Sequence, residues 1–201
     1  MPPSPVSVRA VSRHAVRAEL ARVAFNRFCA TGFNQVTFAD LASATGVSRS
    51  TFLRYFTNKE DVVLFLFDPV GDIIVEALAS DSRSDYDWLA LRRALDPVVD
   101  FLIRDTSEVV AFLDLIYETP ALSARFREKQ FDWRPSIVRE LQQTHATPID
   151  SIVTQVRVAS AMECFAAALA VWRDSEGRED LTTLINTSFS ALDPTIANQN
   201  S

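Results

Sequence analysis

TFADLASATGVSRSTFLRYFTNKE, residues 37–60, reads as two short helices on either side of a glycine turn, with a third helix opening behind them. Thr37 and Asp40 have the capping-box spacing, an oxygen acceptor at the cap and an acid three residues on. The helix they start runs through Leu41, Ala42 and Ala44 and stops at Thr45-Gly46. Gly46 suits a turn conformation that a Cβ would oppose. Ser48 is placed to cap the next helix, which carries Arg49, Ser50, Thr51, Phe52, Leu53, Arg54, Tyr55 and Phe56. Thr57 and Glu60 repeat the capping spacing and predict a long apolar helix from Lys59 to about Ala79.

Upstream, Val16, Leu20, Val23, Ala24, Phe25 and Phe28 form a helical stripe from about Ser12, ended by Gly32. Residues 1–11, with three prolines and no periodicity, read as a flexible arm. Downstream, residues 80–87 form an Asp/Ser-rich loop, and helical periodicity returns over Trp88–Arg104, with Pro97 a kink. Further helices are predicted over Ser107–Glu118, from Pro120 to about His145 with Pro135 a second kink, over Asp150–Asp174, and over Arg178–Leu192. No segment alternates as a strand does. The expectation is an all-α chain of about nine helices: the arm 1–11, a three-helix domain 12–58, and a helical bundle 59–201.

Of the 201 residues 48% are hydrophobic and 23% charged, enough to bury a core and inconsistent with global disorder. The longest uninterrupted apolar run, Phe165–Trp172, is eight residues. A membrane span needs ~20. The N-terminus has no apolar signal segment, and Cys29 and Cys164 read as reduced thiols, so a cytoplasmic, nucleoid-associated protein is expected. The net charge of −6 is unevenly spread. Residues 1–63 carry eight basic and four acidic side chains, and the remainder twelve and twenty-two. A basic head on an acidic body points to nucleic-acid contact confined to the head.

Two helices joined by a glycine turn make a helix-turn-helix. Ala42 is small where the helices cross, and Val47 and Phe52 are apolar where the second packs on the first. Arg49, Ser50, Thr51, Arg54 and Tyr55 are then left to reach outward. In the major groove Arg pairs bidentately with guanine, and Ser or Thr serves several base edges.

Residues 17–63 resemble the DNA-binding domain of TetR-family transcriptional regulators. The resemblance is carried by Ala24-Phe25, Phe28, Thr31-Gly32-Phe33, Thr37, Leu41-Ala42, Gly46-Val47-Ser48, Thr51-Phe52, Tyr55-Phe56, Asn58-Lys59-Glu60 and Val62. It implies a homodimeric regulator, a repressor by family habit, that binds a palindromic operator and responds to a small-molecule effector. It makes Thr37 a helix cap and phosphate contact, and Ser48, Arg49, Ser50 and Thr51 the leading turn of the recognition helix. Tyr55 becomes a backbone or base contact and Lys59 a phosphate contact. Leu53 departs from the pattern, since many members place a phosphate-bonding aromatic there, and Arg54 stands in for it.

The C-terminal half, through Thr119-Pro120-Ala121-Leu122, Arg125, Trp133 and the Ala-rich helix to Trp172, loosely resembles the branch with acyl-CoA-like ligand domains. Phe112, Leu115, Phe126, Trp133, Met162 and Phe165 are the candidate effector-lining residues, although aromatic stripes on helices are usually plain core. The last two helices, about 150–192, present small residues such as Ala159, Ala166, Ala167 and Ala170 and form the expected dimer face.

Enzymatic readings find little support. His14 and His145 lack metal-ligand spacing, and Asp68, Asp72 and Glu76 read as a solvated helix face. No P-loop, dinucleotide or nucleophile-elbow signature occurs, so no cofactor, metal or catalytic residue is expected. The alternative function is a helical interaction protein with a degenerate helix-turn-helix and no specific operator.

Overall fold

The computed structural model describes residues 8–81, 87–144 and 151–193. Their regular structure is entirely helical, with no strand among them, and they divide into two compact units. The first runs to Asp68 and includes Leu115–Arg125; the second holds Pro69–Asp114 and the chain from Phe126 onward.

The first unit opens with α1 (Val8–Thr31), four residues earlier than the periodicity predicts. Arg9, Ala10 and Arg13 favour helix, and no breaker follows Pro5, so part of the expected arm is helical and residues 1–7 lie outside the described chain. A 3₁₀ turn (Phe33–Gln35), α2 (Phe38–Thr45), α3 (Arg49–Leu53), α4 (Lys59–Leu64) and a second 3₁₀ turn (Phe65–Phe67) follow. Leu20, Ala24, Phe28, Phe33, Leu41, Phe52, Phe56 and Val62 are buried in its core. Its rings form a chain: Phe28 on Phe33 at 5.0 Å between centroids, Phe52 on Phe56 at 5.4 Å, and Phe56 edge-on to Phe65 at 6.1 Å.

Asn58, not Thr57, caps α4: its Oδ1 accepts from the Asp61 N–H at 2.7 Å. Both residues are competent caps, and the helix starts where the asparagine reaches. The long helix expected over Lys59–Ala79 is three elements: α4, the 3₁₀ turn, and α5 (Val70–Ser80). Pro69 has no N–H to give the Phe65 carbonyl, and the Asp68 N–H takes that carbonyl instead, at 3.1 Å. The chain passes between the two units at this proline.

The second unit contains α5, α6 (Asp87–Arg93), α7 (Asp96–Leu102), a 3₁₀ turn (Ile103–Asp105), most of α8 (Thr106–Glu118), α9 (Pro120–Thr144) from Phe126, α10 (Ser151–Asp174) and α11 (Leu181–Leu192). The helix expected over Trp88–Arg104 is divided, because Pro97 cannot bond the Arg93 carbonyl and instead occupies the first turn of α7. Asp180 caps α11, three residues into the expected element, with its Oδ1 2.7 Å from the Thr183 N–H. Most of the expected loop 80–87 and the ends at His145 and Asp150 lie outside the described residues.

α10 pairs closely with α11, and α6 packs on both. Trp88 stacks on Phe189 at 4.6 Å, and Arg157 bonds the buried Asp87 at 2.7 Å. α10 has the length and hydropathy of a membrane span, yet nine of its residues, Met162, Phe165 and Trp172 among them, are buried in this unit.

Candidate nucleic-acid interface

Both ends of α2 are closed by its own sequence. At the start, the Asp40 N–H donates to Thr37 Oγ1 at 3.2 Å, and the Thr37 N–H and hydroxyl donate to Asp40 Oδ2 at 2.8 and 2.7 Å. Those two bonds to the charged form hold the Asp40 carboxyl below its ordinary value, and nearby Arg27 adds a smaller push the same way. At the end, Gly46 sits at φ 70°, the Gly46 N–H reaches the Ser43 carbonyl at 3.2 Å, and the Val47 N–H reaches Ala42 at 3.1 Å. This is a Schellman termination, and it needs the left-handed residue that glycine supplies without strain.

The turn delivers Ser48, whose Oγ accepts from the Thr51 N–H at 3.1 Å and lies 2.9 Å from Thr51 Oγ1. α3 is only five residues long. Its hold on the unit is Phe52, fully buried between Phe38 at 5.9 Å and Phe56. With Phe52 fixed inward, Arg49, Ser50, Leu53 and Arg54 are exposed, and Thr51 and Tyr55 are half-buried at the margin. Among the described residues, no side-chain bond engages Arg49, Ser50 or Arg54; their polar groups are left to solvent or a partner. Leu53 projects as an exposed apolar group, and the adjacent Arg54 is the cation beside it.

Lys59 is placed differently from the rest. Its Nζ donates to the Phe33 carbonyl at 3.0 Å and to the Val36 carbonyl at 2.9 Å, and it lies 4.7 Å from the centre of the Phe33 ring. Two of its three protons thus tie the start of α4 to the turn preceding α2. Sequence spacing does not disclose this, since the partners lie 26 and 23 residues away. Arg17 is likewise committed inward, on Asp68 and on the Phe56 and Phe65 rings, and Arg22 pairs with Glu19. Among the residues whose side chains are described, the exposed cations of the head that remain are Arg13, whose guanidinium reaches only the Arg54 carbonyl at 3.5 Å, and Arg27, Arg49 and Arg54.

Of the candidate effector-lining residues, Phe112, Phe126, Trp133, Met162 and Phe165 are buried in the second unit. Leu115 belongs to the first unit and is half-buried. Separately, an open groove of about 460 Å³ runs between α9 and α10, lined by Phe131, Arg134, Pro135, Val138, Ile152 and Val156 among others. It contains none of the expected residues. Ile152 and Val156 stand one turn apart on α10, and their spacing is that of a core stripe, so sequence alone does not mark them as surface.

Residues 20–65 match the profile described as bacterial regulatory proteins, tetR family, and residues 87–197 match that of the MftR C-terminal domain. The chain is similar to the transcriptional regulator TcmR of Streptomyces glaucescens, 26% identical over 140 residues, 67% of this chain and 62% of that one. Its match spans about three fifths of the length of the curated relatives. The fold is that of Thermus thermophilus FadR, a TetR-family repressor solved with lauroyl-CoA: TM-score 0.54, 20% identity, 88% of this chain and 92% of that one. FadR of Bacillus halodurans, a fatty acid degradation regulator, superposes with TM-score 0.57 at 16% identity over 88% and 93%.

Proposed function

Because the chain belongs to the TetR family of bacterial transcriptional regulators, we propose that it is a ligand-responsive repressor that binds a palindromic operator as a homodimer. The observation that carries this reading is the capped, glycine-turned pair α2–α3, with Arg49, Ser50 and Arg54 exposed and uncommitted on its outer side. In this reading residues 12–58 are the DNA-binding domain and 59–201 the effector and dimerisation domain. It acts in the cytoplasm, on the nucleoid.

Arg49 and Ser50 enter the major groove at the head of α3, with Ser48 and Thr51 beside them. Thr37, Arg54 and Tyr55 hold the backbone. Lys59 contributes its one remaining proton to a phosphate and its other two to the fold. The dimer forms through α10 and α11, whose outer side carries Ala166, Ala167 and Ala170 together with the exposed Val171 and Leu192. A two-fold axis then sets the half-sites one turn apart, ~34–36 Å.

The effector is a small lipophilic or acyl-CoA-like molecule. The resemblance of the fold to a regulator solved with lauroyl-CoA supports that class. Phe112, Phe126, Trp133, Met162 and Phe165, all of the second unit, are its assigned surroundings. To release the operator it must prefer the unbound state, by ~1–3 kcal/mol for 5–150-fold coupling. The hinge is Asp68-Pro69, where α4 and α5 are interrupted. A Pro69→Ala variant therefore loses effector-induced release, and unchanged release would remove the hinge.

The test is operator affinity against salt. With about four cations per head neutralising phosphates, the dimer slope of log K against log salt is near −7. A slope shallower than about −2 contradicts the interface.

A further inference from the structure

Gln130 lies on the buried stripe of α9, four residues after Phe126 and three before Trp133, and is itself more than nine-tenths buried. Its Nε2 is closed off from solvent and has no hydrogen-bond partner among the described residues. Arg17 and Arg134 each also bury an unbonded Nε, but their terminal nitrogens are bonded to Asp68 and Glu163. For Gln130 it is the whole donor end of the amide that is unmet. A leucine at this position would fill similar space at no polar cost, so the amide weakens the unliganded bundle relative to an apolar residue.

The surroundings limit what could satisfy it. Phe126, Trp133 and Ile137 flank it along the stripe and are all buried. Trp133 is held by α5: a Cβ at Gly71 would lie 2.5 Å from Trp133 Cδ1, so the indole rests directly on the α5 backbone. Arg134, one turn further along α9, is already paired with Glu163 at 2.8 Å, so the unmet group is the neutral amide, which matches an uncharged carbonyl oxygen carried on an apolar body.

We infer that Gln130 is the polar specificity contact for the effector, donating from Nε2 to a carbonyl oxygen of an otherwise apolar molecule. This rests on the reading of the second unit as an effector domain, and it goes beyond that reading by naming the residue and the group it recognises. An acyl thioester, a ketone and an ester all carry the acceptor; a hydrocarbon of the same shape does not.

The test uses the full chain with two matched probes, butyrophenone and n-butylbenzene, which differ by one carbonyl. Binding is read by calorimetry, and the Gln130 side-chain amide by ¹⁵N–¹H NMR. Wild type is expected to bind the ketone roughly ten-fold tighter than the hydrocarbon, with the Gln130 amide protons moving downfield only with the ketone. Gln130→Leu and Gln130→Met lose the preference, and both melt at or above the wild-type temperature. Gln142→Leu, at an exposed position on the same helix, keeps it.

Equal binding of the two probes by wild type, a preference that survives both substitutions, or no binding of either probe overturns the assignment. The effector reading is scored separately, by release of wild-type protein from its operator with lauroyl-CoA. Release with the Gln130 preference absent retains that reading and removes this inference.

Discussion

The Arg17 guanidinium donates to Asp68 Oδ2 at 2.9 Å while its Cζ stands 4.6 Å from the Phe65 ring centre and 5.1 Å from that of Phe56. One side chain thus fastens α1 to the last residue before Pro69, and both partners are about one-third exposed. A pair this accessible contributes up to ~1 kcal/mol, and the cation–π contacts add a comparable amount. Arg17→Ala is expected to cost about 1–2 kcal/mol in urea denaturation, and Asp68→Asn less than half of that. An Asp68→Asn cost equal to that of Arg17→Ala would assign the effect to the ion pair alone.

Lys59 is expected to register in stability before it registers in DNA binding. Lys59→Met strands the Phe33 and Val36 carbonyls that its ammonium serves, at a cost of about 1–3 kcal/mol without any DNA present. If the variant unfolds at the wild-type urea midpoint, the lysine is a phosphate contact only.

Arg49 behaves oppositely. Its side chain is exposed and makes no bond among the described residues, so Arg49→Ala leaves the melting temperature unchanged. Operator affinity falls by ~1–3 kcal/mol, with specificity relaxed at one base position. A uniform fall across all operator variants reassigns Arg49 to a phosphate.

Asp40 sets an acid limit on the interface. Its carboxyl, held down first by the Thr37 hydroxyl and then by the Thr37 N–H, titrates lower folded than unfolded. The α2 cap is therefore at full strength above the ordinary carboxylate range and weakens as pH falls through the lowered folded value. NMR titration of the Asp40 carboxyl should give a midpoint below the free-carboxylate value of 3.8, and Thr37→Ala should return it upward. A midpoint at or above 3.8 in wild type contradicts the capping geometry.

What was legible in the sequence is what is local. The Thr37–Asp40 box, the Gly46 turn and the Ser48 cap depend on residues within five positions of one another, and each is where its spacing places it. Thr57 and Asn58 show the resolution of such reading: two adjacent caps compete, and one residue of register decides between them. Pro69 and Pro97 announce a disturbance, but a kink and a full break leave the same mark in sequence.

Long-range polar commitments were not legible. Arg17 finds Asp68 across 51 positions and Lys59 finds Phe33 across 26, so two of the eight head cations are spent internally with no periodic sign of it. Gln130 sits on a helical stripe that already looks like core, and only the absence of a partner sets it apart.

The most direct measurement is selection of bound sequences from a randomised DNA duplex pool by the full chain, read by sequencing. One enriched palindrome is expected, with half-site centres ~34–36 Å apart, and Arg49→Ala is expected to lose enrichment at one symmetric base position. No enriched sequence, or a single unpaired half-site, would contradict it.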